Sequence, residues 1–259
     1  MRHLRPFPAQ TVCQKLMRYQ AKQGQISAGE AIGILLLDTC VPFIPGDVAN
    51  ATTYRFPVRF QKVEGFTVAR AIGRDPSVFD ALKTAALALA GQGVRAITGD
   101  CGFMAVHQGK LAAALDIPVF LSSLLQLPFI GSIVGDQAQV GVITADSRSL
   151  DPALLGEMGM RDPARVVVEG LEHCRHFVRF AIEESGRLDA AAVQEEVVAS
   201  AKNLVAQHPS VRAVLLECSL LPPYAAAVQQ VVGLPVFDYV TMIDYVFSAV
   251  VRQPFHGFL

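Results

Sequence analysis

What most constrains this chain is a set of short runs that are largely apolar on both faces, at residues 31–37, 94–97, 140–143 and 211–216. A half-buried strand alternates polar and apolar residues, and a surface helix repeats its apolar residues at three and four. A short run that does neither reads as a strand covered on both sides. Further strand-like segments stand at 58–63, 118–121, 166–168 and 235–237. Helical spacing fills the stretches 76–90, 104–115, 123–135, 147–158, 189–207, 224–232 and 242–251. Strands alternating with helices predict parallel sheets joined by right-handed crossovers. The expected fold class is α/β, with two pseudo-symmetric lobes, each a four-stranded, mainly parallel sheet flanked by helices. Residues 1–28 read as a peripheral N-terminal arm with a short helix at 10–20, the first lobe begins at 29 and runs to 135, and the second spans 136–239.

Each half places a cysteine after its third strand. In the first it stands in Thr98-Gly99-Asp100-Cys101-Gly102-Phe103, and in the second in Glu217-Cys218-Ser219. Open parallel sheets bind ligands outside the carboxyl ends of their strands, so the two cysteines are candidates for one shared site in a cleft between the lobes. Cys101 at a helix start is expected to have a lowered pKa, because unpaired N–H groups and the helix dipole favour an anion there. The competing reading is a pair of inert buried thiols. Salt bridging is the plain role for Asp100 and Glu217, and a structural or surface role for His107. Cys13, Cys40 and Cys174 read as structural. The irregular stretch 41–57, with Pro42, Pro45, Gly46, Asn50 and Pro57, is long for a compact domain and is expected to cover the site.

Composition excludes several classes. A formal net charge of −1 over 259 residues offers no general attraction to nucleic acid or an anionic membrane. The most apolar stretch, 117–134, is broken by prolines and serines and does not read as a membrane span. No Gly-x-Gly-x-x-Gly follows the first strand and no Walker lysine motif is present, so nucleotide binding is not expected. His173 and His176 have no third ligand nearby in sequence, so no metal site is expected. Residues 1–16 have no apolar core segment and do not read as a signal peptide. Five cysteines without regular spacing fit reduced thiols in a cytoplasmic protein.

The stretches ITGDCGFM and LLECSLLPP resemble the aspartate/glutamate racemase superfamily. LLLDTCVPFIPGDVAN, ITGDCGFM and PVFLSSLLQLP look closer to a branch that includes algal dimethylsulfoniopropionate lyases. The resemblance covers most of the chain from about Ala31 to Val246. It implies a cofactor-independent enzyme with one cysteine from each lobe facing a small carboxylate substrate. It also implies that residues 240–259 return to the first lobe, and that Asp38 orients or assists the first cysteine, although Asp38 also suits a turn cap. One departure stands out. Glutamate racemases carry Thr-His after the second cysteine, and this chain carries Ser219-Leu220. A homo-oligomer, dimer or tetramer, is the expected assembly.

Removing a proton beside a carboxylate needs a base and stabilisation of the enolate-like charge. Backbone N–H groups of Gly102, Phe103, Ser219 and Leu220 stand where preorganised donors are needed. Hydroxyls of Ser122, Ser123 and Thr144 are further candidates, unless they cap helices instead. Two thiols on opposite faces of one carbon invert it, so an amino-acid racemase is the first reading. A leaving group on the next carbon turns the same carbanion chemistry into β-elimination, the lyase alternative; a non-catalytic binding protein is the third. The pocket wall distinguishes the first two. A second substrate carboxylate needs a base such as Arg55, Arg59, Lys62 or Arg148. A sulfonium prefers aromatic faces such as Phe43, Tyr54, Phe56 or Phe103. No metal, flavin or pyridoxal phosphate is expected.

Overall fold

The apolar runs become the central strands of two sheets in the computed structural model, which describes residues 23–257. The expected helix at 10–20, most of the arm that carries it, and Cys13 lie outside the described residues. In the first half, β1 (Ile32–Leu36), β2 (Val58–Lys62), β3 (Ala96–Gly99) and β4 (Val119–Phe120) form one sheet in the order β2-β1-β3-β4. In the second, β5 (Gln139–Thr144), β6 (Val166–Gly170), β7 (Val211–Leu216) and β8 (Val236–Phe237) repeat that order as β6-β5-β7-β8. Every pairing is parallel. The expected pair of four-stranded α/β halves is what the chain forms.

Helices supply the crossovers. The first half carries α1 (Val68–Ile72), α2 (Phe79–Gly91), α3 (Gln108–Ala112) and α4 (Leu127–Ile133). The second carries α5 (Pro152–Glu157), α6 (Arg175–Phe177), α7 (Ala190–Gln207) and α8 (Ala225–Val232). The two long crossover helices approach their sheets at matching glycines. A Cβ on Gly33 of β1 would stand 3.0 Å from Leu89 of α2, and one on Gly141 of β5 would stand 2.5 Å from Leu204 of α7. Glycine there lets a leucine of the helix rest on the strand backbone.

The last helix, α9 (Tyr239–Val250), begins in a capping box between Asp238 and Thr241. It follows the second sheet but packs on the first. Tyr239, Met242 and Ile243 are buried with Ile32, Ile34, Ala96 and Phe120, and the Tyr239 hydroxyl donates to the Leu121 carbonyl at 2.8 Å. The chain therefore passes between the halves twice, before β5 and after β8. Among the described residues, no helix is long and apolar enough to cross a membrane.

Local structure departs from the expected segments in several places, and α1 has no counterpart among them. The single helix expected at 104–115 is a 3-10 run, Gly102–His107, followed by the short α3. The one expected at 147–158 is interrupted at Leu150 and Asp151, because a residue before proline is pushed out of the helical region and Pro152 follows. A further helical segment, α6, is continued by a π turn, Val178–Ile182.

Candidate functional site

In each sheet the connections from the two central strands leave in opposite directions, which opens a crevice at their carboxyl ends. The two crevices meet in one cavity. Leu37 and Thr39 reach it after β1, Asp100, Cys101, Gly102 and Phe103 after β3, Ala145 after β5, and Glu217, Cys218, Ser219 and Leu220 after β7. Val41 and Phe43 of the irregular stretch, Val68 and Ile72 of α1, and Ala181 and Ile182 of the π turn complete the wall. π turns often occur at functional sites. The two cysteines thus line one cavity, and Cys40, Cys101, Cys174 and Cys218 are all free thiols.

The covering stretch is tied to the second half. Gly46, at φ +100°, lies so close to Pro223 that a Cβ would come within 2.9 Å of the Pro223 Cα. The Val48 N–H donates to the Ser219 carbonyl at 3.4 Å. Glu184 reaches across from just beyond the π turn: its carboxylate accepts from the Thr39 hydroxyl and, at 2.9 Å, from the Cys40 N–H. Its own backbone is left-handed, φ 51°.

The N–H groups of Gly102, Phe103, Ser219 and Leu220 donate to no oxygen among the described residues. They are the first donors of two tight turns, and those of Phe103 and Leu220 point to the Cys101 and Cys218 sulfurs. Asp38, Ser122, Ser123 and Thr144 do not line the cavity. The Asp38 side chain turns to Lys62 Nζ at 3.4 Å and to the Gly65 N–H at 3.3 Å. Ser122 caps the next turn by accepting from the Leu124 N–H. Ser123 and Thr144 stand one step behind the wall, both on Glu217. Ser123 Oγ donates to the Glu217 carbonyl at 3.0 Å, and Thr144 Oγ1 donates to Glu217 Oε2 at 2.9 Å. His107 is a core residue, packed edge-on to Phe66.

Electrostatics correct the expectation of an acidic Cys101. Burial first, then the Glu217 carboxyl and Cys218, push its thiol well up, and the Phe103 N–H pulls only weakly the other way. A short 3-10 turn offers little dipole, and no cation compensates. Burial and Glu217 push Cys218 up as well. Among the described residues the flanking acids Asp100 and Glu217 make no salt bridge. Asp100 accepts from the Leu37 N–H at 2.9 Å, and burial raises it to about 8. Burial raises Glu217 to about 7 against the Thr144 bond, and its Oε1 has no partner. Asp47, just outside the wall, is likewise raised by burial to about 7.

No lysine, arginine or histidine lines the cavity among the described residues. Arg59 pairs with Glu30, Lys62 with Asp38 and Glu64, and Arg148 with Asp146. Two of the four candidate aromatics do line it, Phe43 and Phe103. Tyr54 donates to the Val48 carbonyl at 2.7 Å, and Phe56 stacks on Phe247 with centroids 3.5 Å apart. Glu217 is the residue the sequence reading undervalued. An acid closing a fully buried strand, next to a cysteine, was the available signal.

No family model matches the chain. It is 35% identical over 241 residues to dimethylsulfoniopropionate lyase 5 of Emiliania huxleyi (strain CCMP1516), an alignment covering 89% of this chain and 47% of that protein. It is 31% identical over 234 residues to the dimethylsulfoniopropionate lyase of Durusdinium sp. clade D, covering 88% of this chain and 77% of that one. The chain thus spans about half the length of the first relative and three quarters of the second. Among solved structures, unliganded arylmalonate decarboxylase matches with a TM-score of 0.56 and 18% identity over 87% of this chain and 94% of its own. Allantoin racemase from Pseudomonas fluorescens matches with a TM-score of 0.56 and 18% identity over 85% and 91%. Glutamate racemase from Bacillus anthracis matches with a TM-score of 0.52 and 13% identity over 85% and 82%. These structures share the fold.

Proposed function

The chain belongs to the dimethylsulfoniopropionate lyase family, on the aspartate/glutamate racemase fold, and from that premise we propose that it cleaves a small sulfonium carboxylate by β-elimination. The observation that carries this reading is the character of the cavity wall: two thiols, two aromatic rings and two carboxyl groups, with no basic side chain. A dicarboxylate such as aspartate or glutamate would bring a second anion to a wall with no cation to meet it. A sulfonium suits that wall, because cations are attracted to ring faces by roughly 0.5 to 2 kcal/mol.

In this reading the substrate carboxylate lies on the N–H groups of Gly102, Phe103, Ser219 and Leu220, and the sulfonium faces Phe43 and Phe103. One cysteine, as thiolate, takes the proton from the carbon beside the carboxylate. The electron pair of that C–H bond forms the new carbon–carbon double bond. The carbon–sulfur bond breaks, and its electrons leave with neutral dimethyl sulfide. Acrylate remains, and the cysteine holds the proton. Both thiols are held neutral chiefly by burial. A sulfonium bound beside them favours the thiolate. These groups suffice for the step without a cofactor.

Inversion of a stereocentre is the second reading, favoured by one observation, that a cysteine from each half lines the same cavity. The two are separated by incubating the protein with dimethylsulfoniopropionate, following dimethyl sulfide in the headspace and acrylate by NMR. In parallel, each enantiomer of aspartate and glutamate is incubated in deuterated water. Elimination predicts dimethyl sulfide release and no deuterium in the amino acids. Of Cys101→Ala and Cys218→Ala, one abolishes release, by 10²-fold or more as for loss of a general base, and the other weakens it. Release that persists in the double alanine variant, or exchange into an amino acid without release from the sulfonium, overturns the proposal.

A further inference from the structure

Glu217 is the feature of the cavity that the proposed elimination does not use. It is 1% exposed, it lines the cavity, and its Oε1 has no hydrogen-bond partner. The residue is held at three points. Ser123 fixes its carbonyl, Thr144 donates to its Oε2, and the carboxyl group rests against the backbone of Gly102. A Cβ on Gly102 would come within 1.6 Å of Oε1. Glu217 thus precedes Cys218 in the chain and lies against the residue that follows Cys101 in space. Its free oxygen stands beside the N–H donors assigned to the substrate carboxylate.

We propose that Glu217 works as a neutral carboxylic acid whose free oxygen donates a hydrogen bond to the substrate's carboxylate. This rests on the reading of the cavity as a carboxylate site, and it holds for elimination and inversion alike. The geometry supplies the reason. An ionised carboxyl has only acceptors, and the buried Oε1 would then sit unpaired, facing a second anion. The Thr144 hydroxyl marks Oε2 as the accepting oxygen, which leaves Oε1 to carry the proton. As the proton beside the substrate carboxylate is removed, charge grows on the carboxylate oxygens, and a fixed donor there strengthens as the charge develops. Burial raises Glu217 to about 7, which agrees with a neutral acid at neutral pH. A carboxylic acid kept neutral by an apolar site is an established way to make such a donor.

The titratable groups around it are Cys101 and Cys218, Asp100 and Asp47 on the strand-end loops, and Tyr239 of α9. None is a cation. Asp100 and Asp47 titrate in the same range, so each needs its own variant.

The test is calorimetric binding of propionate, a three-carbon carboxylate with no leaving group, between pH 6 and 9. It is run in two buffers of different ionisation heat so that proton uptake is counted. In the native protein the affinity is expected to be level below pH 7 and to fall about tenfold per unit above it, with one proton taken up per propionate bound. Glu217→Gln keeps a donor and the Thr144 contact. It is expected to bind propionate within a few-fold of the native protein at pH 6 and to lose the fall. Asp100→Asn and Asp47→Asn are expected to keep the fall. Thr144→Val removes a bond that favours the ionised form, so the break moves to higher pH. A fall that persists in Glu217→Gln, or that vanishes in Asp100→Asn instead, overturns the proposal. So does native affinity that rises with pH, or native protein that fails to bind propionate. Failure of the lyase reading looks different: dimethylsulfoniopropionate is untouched while propionate behaves as described.

Discussion

Three carboxyl groups raised by burial, Asp47, Asp100 and Glu217, tie the stability of this protein to pH. In each the folded-state pKa, about 7, 8 and 7, lies above the ordinary carboxylate value. The folded state therefore holds protons that the unfolded state has released. The contribution is complete below about pH 4 and is lost as pH rises through 7 to 8. The melting temperature of the unliganded protein is expected to fall between pH 5 and 8. Glu217→Gln and Asp100→Asn should each flatten that fall, and thermal melts at half-unit pH steps measure it. A melting temperature that climbs over this interval, with variants parallel to the native protein, would contradict it. At this scale the sequence was legible where a residue's role is local. Cys101 and Cys218 follow their strands and line the cavity as their positions predict. The pKa of Cys101 and the setting of Glu217 were not legible. Both depend on a contact between Gly102 and Glu217 across the two halves, which no local pattern encodes.

Among the elements, the crossover helices and their glycines set the tightest limits. Leu204 is 1% exposed and has nowhere to move, so Gly141→Ala forces the β5–α7 contact apart. Overpacking of this kind costs about 1 to 3 kcal/mol, which a denaturant titration reads as a lower midpoint. Gly33→Ala, against Leu89 at 3.0 Å, should cost less. The Glu184 contact gives a prediction of a different kind. It spans the cavity mouth, from the second half to Thr39 and Cys40, and it is held at φ 51°, a backbone that costs a non-glycine residue roughly 1 to 2 kcal/mol. Glu184→Ala should speed hydrogen exchange of residues 39–46 and raise KM several-fold. Glu184→Gly should loosen the stretch equally while relaxing the backbone, so it melts higher than the alanine variant. Unchanged exchange in both would remove the contact's role in covering the cavity. The long strands and α7 were legible because both faces or one clear stripe are apolar. The 3-10 run, the break at Pro152 and the π turn were not, since their hydrogen-bond pattern is chosen by the cavity they border.

At the scale of the whole molecule, two copies of one strand order face each other, and α9 crosses to the first sheet. The repeat of four strands in each half was readable from spacing alone, whereas their order in the sheets was not. The return of α9 came from family resemblance, and its cause is the burial of Tyr239, Met242 and Ile243 on β1 and β3. A fragment of residues 1–135 lacks that cover. It is expected to show little cooperative unfolding by circular dichroism, and co-expression with 136–259 should restore it. A fragment that melts cooperatively by itself would mean that α9 is dispensable to the first sheet. The double passage of the chain has a mechanical consequence as well. A joint with one strand swivels freely, whereas a joint with two behaves like a door on a pair of pins. Two crossings, reinforced by the Arg74–Asp151 ion pair, leave one half less freedom to turn against the other than a single joint would.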